Sequence, residues 1–243
     1  LLSFPAFTNL SNSSYAGYWG TYDLDGDQDL YVHNWQKSSD PSVVAPNNYF
    51  YDNNGDGTFS KVENGLTEKA TESRAGSWAD MDNDGDLDYI LQLTTNEINK
   101  LGAFLLLYEN DNGTFTETIL GEPTAGGFDH VVVGDFDNDG LLDILSKSFI
   151  YFNEGGLSFT ETSYETLFPE KTATSEPNAH AVDVDMDMDL DIYFGGDEAS
   201  YLYINNGDRT FARSSQLGSD DVGHRGGAWE ILIMMAISTF SLH

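Results

Sequence analysis

Cysteine is absent from the 243 residues, so no disulfide can staple the fold and the redox compartment goes unmarked. Cations are scarce as well: 10 Lys plus Arg stand against 41 Asp plus Glu, a formal charge of −31. Phosphate binding needs clustered positive charge, so nucleic acid is not an expected partner, and anionic membrane surfaces are disfavoured for the same reason. His33, His130, His180, His224 and His243 share no repeated position and no H-E-x-x-H spacing. No serine sits in a nucleophile-elbow context. No catalytic residue emerges, and the expectation is a protein that is not an enzyme. The start lacks a charged segment followed by an apolar core and a cleavage site. Leu1 in place of Met fits a mature product or a fragment. The apolar tail Ile231–Phe240 is too short to cross a bilayer, so membrane insertion is not expected. No stretch carries a sustained helical period with caps.

What the chain does have is repetition. Hydrophobic residues at 40% and aromatics at 13% suffice for a core. Trp19-Gly-Thr-Tyr-Asp23-Leu-Asp25-Gly26-Asp27-Gln-Asp29 aligns without a gap on Trp78-Ala-Asp80-Met-Asp82-Asn-Asp84-Gly85-Asp86-Leu-Asp88. The same spacing returns in Asp135-Phe-Asp137-Asn-Asp139-Gly140-Leu141-Leu-Asp143 and in Asp183-Val-Asp185-Met-Asp187-Met188-Asp189-Leu-Asp191. A second motif alternates with the first: Tyr51 to Phe59, Tyr108 to Phe115, Tyr151 to Phe159 and Tyr203 to Phe211. Each places aromatics around an Asn/Gly turn, which reads as a β-hairpin. Leu30–Val32, Tyr89–Leu93 and Ile192–Phe194 follow the acidic loops as β-branched or aromatic runs and read as buried strands. Units of roughly 50 residues with about four short strands each are the size of one propeller blade. The predicted fold is therefore all-β: a propeller-like array of four-stranded blades in one domain over 1–243, with four repeats and the start of a fifth.

The spacing D-x-D-x-D-G-x-x-D suits a hard cation. Side chains at positions 1, 3, 5 and 9, with the carbonyl of position 7, can surround one ion if the backbone turns tightly at position 6. Every donor is oxygen, which favours calcium over zinc or copper. An EF-hand would need a bidentate Glu at position 12, where Leu91, Ser146 and Phe194 stand instead. Carboxylates about 4 Å apart repel by roughly 4 kcal/mol at an effective dielectric near 20, and a cation reverses that term. A surface turn needs no Asp at every second residue, so four copies in register point to up to four calcium ions in loops 21–29, 80–88, 135–143 and 183–191. The candidate ligands are Asp23, Asp25, Asp27 and Asp29; Asp80, Asp82, Asp84, Asp86 and Asp88; Asp135, Asp137, Asp139, Leu141 and Asp143; and Asp183, Asp185, Asp187, Asp189 and Asp191. The first loop has Thr21 where the others have Asp, so weaker binding is expected there. The fourth has Met188 where glycine belongs, which compromises it if that position requires a positive φ.

On these residues the chain resembles the FG-GAP/VCBS repeat family, whose calcium loops also occur in the propeller of integrin α-subunits. Arg74-Ala-Gly-Ser-Trp78-Ala-Asp80 and Arg225-Gly-Gly-Ala-Trp229 resemble the lead into the loop in bacterial-type repeats, while the Phe-Gly…Gly-Ala-Pro signature is poorly kept. The resemblance implies an extracellular seven-bladed propeller serving adhesion, ligand binding or attachment to glycans. Four units and a fraction are too few for that ring.

A fifth loop is due near residue 231, where Glu230-Ile-Leu-Ile-Met-Met-Ala-Ile-Ser-Thr239 stands instead. Those residues can be encoded so that a shifted frame reads Asp-Ile-Asp-Asn-Asp-Gly-Asp-Ile-Asp, so 230–243 is expected to be an out-of-frame tail. Asn9, Asn12 and Asn112 lie in Asn-x-Ser/Thr sequons, relevant in a glycosylating secretory source. Trp19, Trp35, Trp78 and the tyrosines could stack on sugars, though core packing is the commoner use of such rings. The leading functional expectation is an extracellular, calcium-binding adhesion or ligand-binding module whose partner is a protein or glycan at a cell surface or matrix. A structural subunit associating with itself through exposed blade faces, and a non-catalytic accessory domain of a secreted hydrolase, are the alternatives.

Overall fold

Sixteen strands and a single helical turn make up the described part of the chain, a computed structural model that describes residues 14–34, 47–66, 73–93, 103–124, 130–146, 148–168, 178–195 and 200–215. The strands form four sheets of four, each an antiparallel meander in chain order. The first holds β1 (Ser14–Gly20), β2 (Asp29–Asn34), β3 (Tyr49–Asn53) and β4 (Phe59–Val62). The second holds β5 (Ser73–Ala79), β6 (Asp88–Leu93), β7 (Ala103–Asp111) and β8 (Thr114–Thr124). The third holds β9 (Val132–Gly134), β10 (Asp143–Leu145), β11 (Phe149–Asn153) and β12 (Phe159–Ser163), followed by α1 (Tyr164–Leu167). The fourth holds β13 (Asn178–Val182), β14 (Asp191–Gly195), β15 (Tyr201–Asn205) and β16 (Phe211–Arg213). The all-β expectation and the four repeat units are thus observed. The chain falls into two compact units, Leu1–Val131 and Val132–His243, with two sheets each. The segment 230–243 expected to be out of frame, Trp35, Trp229 and the sequons at Asn9 and Asn12 lie outside the described residues.

The second strand of each sheet is the most buried. All six residues of β2 and of β6 are buried, as are all five of β14. These are the β-branched and aromatic runs after the acidic loops, and such side chains suit a strand covered on both faces. In the first unit Tyr31, Phe50, Leu66, Tyr89, Leu91 and Tyr108 form the centre of the core. In the second, Phe136, Phe152, Phe168, Ile192, Phe194 and Tyr203 do so. Rings meet mostly edge-on or tilted, Tyr31 on Tyr89 at 4.7 Å and Phe168 on Phe194 at 5.2 Å, the geometry that the ring quadrupole favours.

The alternating Tyr…Asn…Phe motif closes the hairpin between the third and fourth strands of every sheet. Its Asn and Phe are the last facing pair in three of the four: Asn53 with Phe59, Asn153 with Phe159 and Asn205 with Phe211. In the second sheet Asn110 faces Phe115, and the ladder runs one pair further to Asp111 and Thr114. There Asn112 and Gly113 turn the chain with φ of 52° and 89°, the left-handed pair that a two-residue hairpin demands. Gly20 ends β1 for a different reason. A Cβ there would stand 2.7 Å from the Trp78 ring, so only glycine lets the two sheets of this unit approach.

Candidate functional site

Each acidic loop joins the first strand of its sheet to the second, so the structure places all four copies at equivalent positions. The loops are built by carboxylates that accept hydrogen bonds from the backbone ahead of them. Position 1 spans the turn: Asp80 accepts from the N–H groups of Asp84 and Gly85, and Asp135 from those of Asp139 and Gly140, at 2.9–3.2 Å. Asp183 accepts from Asp187 and Met188 in the same way. Position 3 serves the N–H of position 5 in Asp23, Asp82 and Asp137. Position 5 serves the N–H of position 7 in Asp25, Asp84, Asp139 and Asp187. Each carboxylate oxygen so used still carries a further lone pair.

Three loops bring carboxylates close enough to share an ion. Oxygens of Asp80, Asp82 and Asp84 lie within 4.8 Å of one another, as do those of Asp135, Asp137 and Asp143, and of Asp183, Asp185 and Asp191. The first loop, with Thr21 at position 1, forms no such trio among the described residues. The donor set fits a hard divalent cation, since every side chain in it offers oxygen and none offers nitrogen or sulfur. Asp27 Oδ1 and Asp86 Oδ1, at position 7, are buried with no hydrogen-bond partner among the described residues.

Position 9 has a second task that spacing does not reveal. Asp29, Asp88, Asp143 and Asp191 are fully buried at the head of the second strand. One oxygen of each accepts the N–H of position 2, from Tyr22 at 3.3 Å and from Met81, Phe136 and Val184 at 2.8 Å. The other accepts the N–H of the motif asparagine, from Asn53 at 2.9 Å and from Asn110, Asn153 and Asn205 at 2.8 Å. Each aspartate therefore ties its loop to the third strand. Burial outweighs these hydrogen bonds, raising Asp29 and Asp191 to about 6 and Asp88 and Asp143 to about 7.

The asparagines complete the joint. Their Nδ2 groups donate to the position-8 carbonyls of Gln28, Leu87, Leu142 and Leu190 at 3.1–3.2 Å. Asn110 also donates to the Tyr22 carbonyl at 2.7 Å, and Asn205 to the Phe136 carbonyl at 2.8 Å, so each pins the loop of the preceding sheet in its own unit. These asparagines were visible in the repeat as turn residues; that each joins a loop was not.

Position 6 does require a positive φ. Gly26, Gly85 and Gly140 stand at 95°, 99° and 88°, and Met188 at 81°. Met188 is 85% exposed, so no packing repays that conformation. Position 4 is left-handed too, at Leu24, Asn83, Asn138 and Met186, with φ between 61° and 68°. Asparagine tolerates this region; leucine and methionine do so at a cost. Met188→Gly is expected to stabilise the chain by about 0.5–1 kcal/mol, the relieved strain less the added freedom of the unfolded glycine. Met188→Ala keeps the offending Cβ and should bring no gain. Urea unfolding of both variants checks this, and equal gains would show that the side chain beyond Cβ was at fault.

Among the described residues one cation reaches a loop. Arg209, in the β15–β16 hairpin, sets Nε and one terminal nitrogen each 2.6 Å from Asp137 Oδ2, while its other terminal nitrogen lies 2.7 Å from Glu154. The sequence signal for it is a lone arginine at the hairpin position held elsewhere by Gly57 and Leu157. Of the tryptophans proposed as sugar platforms, Trp78 packs on Tyr89 at 4.5 Å, whereas Trp19 is 53% exposed beside Phe59. Among the described residues no helix is long and apolar enough to cross a membrane.

Four meander sheets, each with an acidic loop at its first turn, define a repeat-built all-β protein. A family model for the FG-GAP-like repeat matches residues 11–91 and 98–146, more than half of the sequence, and the chain belongs to that family. No curated protein sequence matches. Among solved structures, the chain is similar to an Agrocybe aegerita lectin that recognises non-reducing terminal N-acetylglucosamine, at 16% identity and a TM-score of 0.44, covering 89% of this chain and 69% of that one. It is similar to the V. cholerae biofilm matrix protein Bap1 at 18% identity and a TM-score of 0.47, covering 86% of this chain and 32% of Bap1. A Photorhabdus luminescens Tc holotoxin pore is matched at 15% identity and a TM-score of 0.32, over 87% of this chain and 12% of the toxin chain.

Proposed function

We propose that the chain is a calcium-stabilised, non-catalytic binding module, its four sheets acting as blades of one propeller-type domain over 1–243. It would work outside the cell, in adhesion or in binding a protein or glycan. Calcium would be held by carboxylates at positions 1, 3 and 5, by the position-7 carbonyl, and by spare lone pairs of the position-9 aspartate. The observation that carries this reading is the recurrence of one all-oxygen loop at the same turn of each sheet, three times with carboxylate oxygens within 4.8 Å. Family membership and the excess of acid over base support it.

Thermal unfolding in millimolar calcium against excess chelator tests the reading. A site at a hundredfold excess over its Kd contributes about 2.7 kcal/mol. For a chain of this size even one such site should raise Tm by roughly 5–10 °C. Coincident melting curves would end the calcium half of the proposal. Glycan-array binding that disappears in chelator would support the ligand class, and an array with no calcium-dependent signal would remove glycans from it.

A further inference from the structure

We propose that Arg209 is a built-in counter-cation that weakens calcium binding at the third loop and sets it below the second in affinity. The proposal rests on the calcium reading above and adds a residue outside the loops. Asp137 is the position-3 carboxylate of loop 135–143, and one of its oxygens belongs to the trio with Asp135 and Asp143. Its Oδ1 already accepts from the Asp139 N–H at 3.2 Å. Its Oδ2 is taken by two guanidinium nitrogens at 2.6 Å, and its side chain is only 6% exposed. An incoming cation must therefore share this carboxylate with a full positive charge or displace it.

Arg209 is not a loosely draped surface side chain. Its guanidinium lies 4.7 Å above the Phe152 ring and is braced on the far side by Glu154 at 2.7 Å. Cation–π stacking and a two-sided ion pair hold a planar fork in place better than a single exposed contact. The residue that carries it sits at φ of 65°, a left-handed position filled by Gly57 in the first hairpin and Leu157 in the third. Neither of those can extend a charge to a neighbouring loop. The second loop, at 80–88, has no basic side chain within ion-pairing distance among the described residues. Calcium affinity in loops of this kind follows the net charge of the ligand set and the rigidity of the site, and one fixed cation lowers both the charge and the freedom of Asp137.

The same contact joins the third and fourth sheets, because Arg209 belongs to the fourth and both carboxylates to the third. Entry of calcium at the third loop would loosen that tie. Occupancy of this one loop would thus be coupled to the β15–β16 hairpin.

The test is calcium titration of the full chain followed by heteronuclear NMR, with the Gly140 amide reporting the third loop and the Gly85 amide the second. In the native chain the Gly140 midpoint should lie at higher calcium than the Gly85 midpoint. Arg209→Gln should shift the Gly140 midpoint about tenfold lower, as expected for losing one charge from the ligand environment, and leave Gly85 in place. Arg209→Lys keeps the charge but not the fork and should shift Gly140 less than Arg209→Gln does. A Gly140 midpoint unmoved in Arg209→Gln, or one that moves together with Gly85, overturns the proposal. So does a Gly140 amide that never responds while Gly85 titrates, an outcome that leaves the calcium reading intact. Silence at both amides would sink that reading as well.

Discussion

Asp143→Ala is expected to destabilise the calcium-free chain by about 2–5 kcal/mol, because it strands two buried backbone donors at once. The N–H groups of Phe136 and Asn153 both point at this carboxylate from 2.8 Å, and the side chain is fully buried. Alanine supplies no acceptor to either. Unfolding by urea in excess chelator isolates this effect from metal binding. A residue that served only as a ligand would show no loss there, and its removal would relieve repulsion with Asp135 and Asp137. Asp143→Asn should fall between alanine and the native chain, since its amide can accept from one N–H but turns an NH2 group towards the other. The same series at Asp88 should give the same order, because Met81 and Asn110 donate to it at the same 2.8 Å. A loss below about 1 kcal/mol at either position would refute the assignment of position 9 as a structural tie.

The calcium-free chain is expected to become less stable as pH rises from about 4 to about 7, the reverse of the usual behaviour of paired carboxylates. Burial raises Asp88 and Asp143 to about 7 and Asp29 and Asp191 to about 6 in the folded chain. In the unfolded chain they titrate near 4. Between these values the folded state binds more protons than the unfolded state, so stability is highest at the acid end of the window and declines through the folded pKa values. Melting in chelator should therefore occur at higher temperature at pH 5 than at pH 7.5. Calcium competes with those protons, so the stabilisation it brings should grow over the same interval. Exposed acids elsewhere also contribute to the slope in chelator. Asp88→Asn with Asp143→Asn removes the two highest titrations and should flatten it. A Tm in chelator that is flat or rises towards pH 7.5 would contradict the burial argument.

Much of the architecture could be read in the chain because its signals are local. An acidic loop spans nine residues, the hairpin motif eight or nine, and the strand after each loop declares itself by composition. Thr21 and Met188 were recognisable as departures from the pattern for the same reason. The first loop forms no close carboxylate trio among the described residues, and position 6 has a left-handed backbone in all four copies. The left-handed position 4 was harder to see. Asn83 and Asn138 suggest it, but Leu24 and Met186 argue against it, and only the closed loop reveals that the turn imposes it on all four.

By itself, then, the sequence determined an all-β chain of four repeat units, with all-oxygen loops at fixed places and far more acid than base. Periodicity and spacing are properties of neighbours along the chain, and they survive without a fold. Tertiary structure decided the rest. It alone joins Asp29 to Asn53, Asp88 to Asn110, Asp143 to Asn153 and Asp191 to Asn205, turning the ninth loop residue into a tie as well as a candidate ligand. It alone brings Arg209 to Asp137 across 72 residues. The first four pairs join neighbouring strands of one sheet and the last joins two sheets. All of them need the paired and packed strands, because the burial that strengthens a hydrogen bond and raises a carboxyl pKa does not exist in the isolated segments.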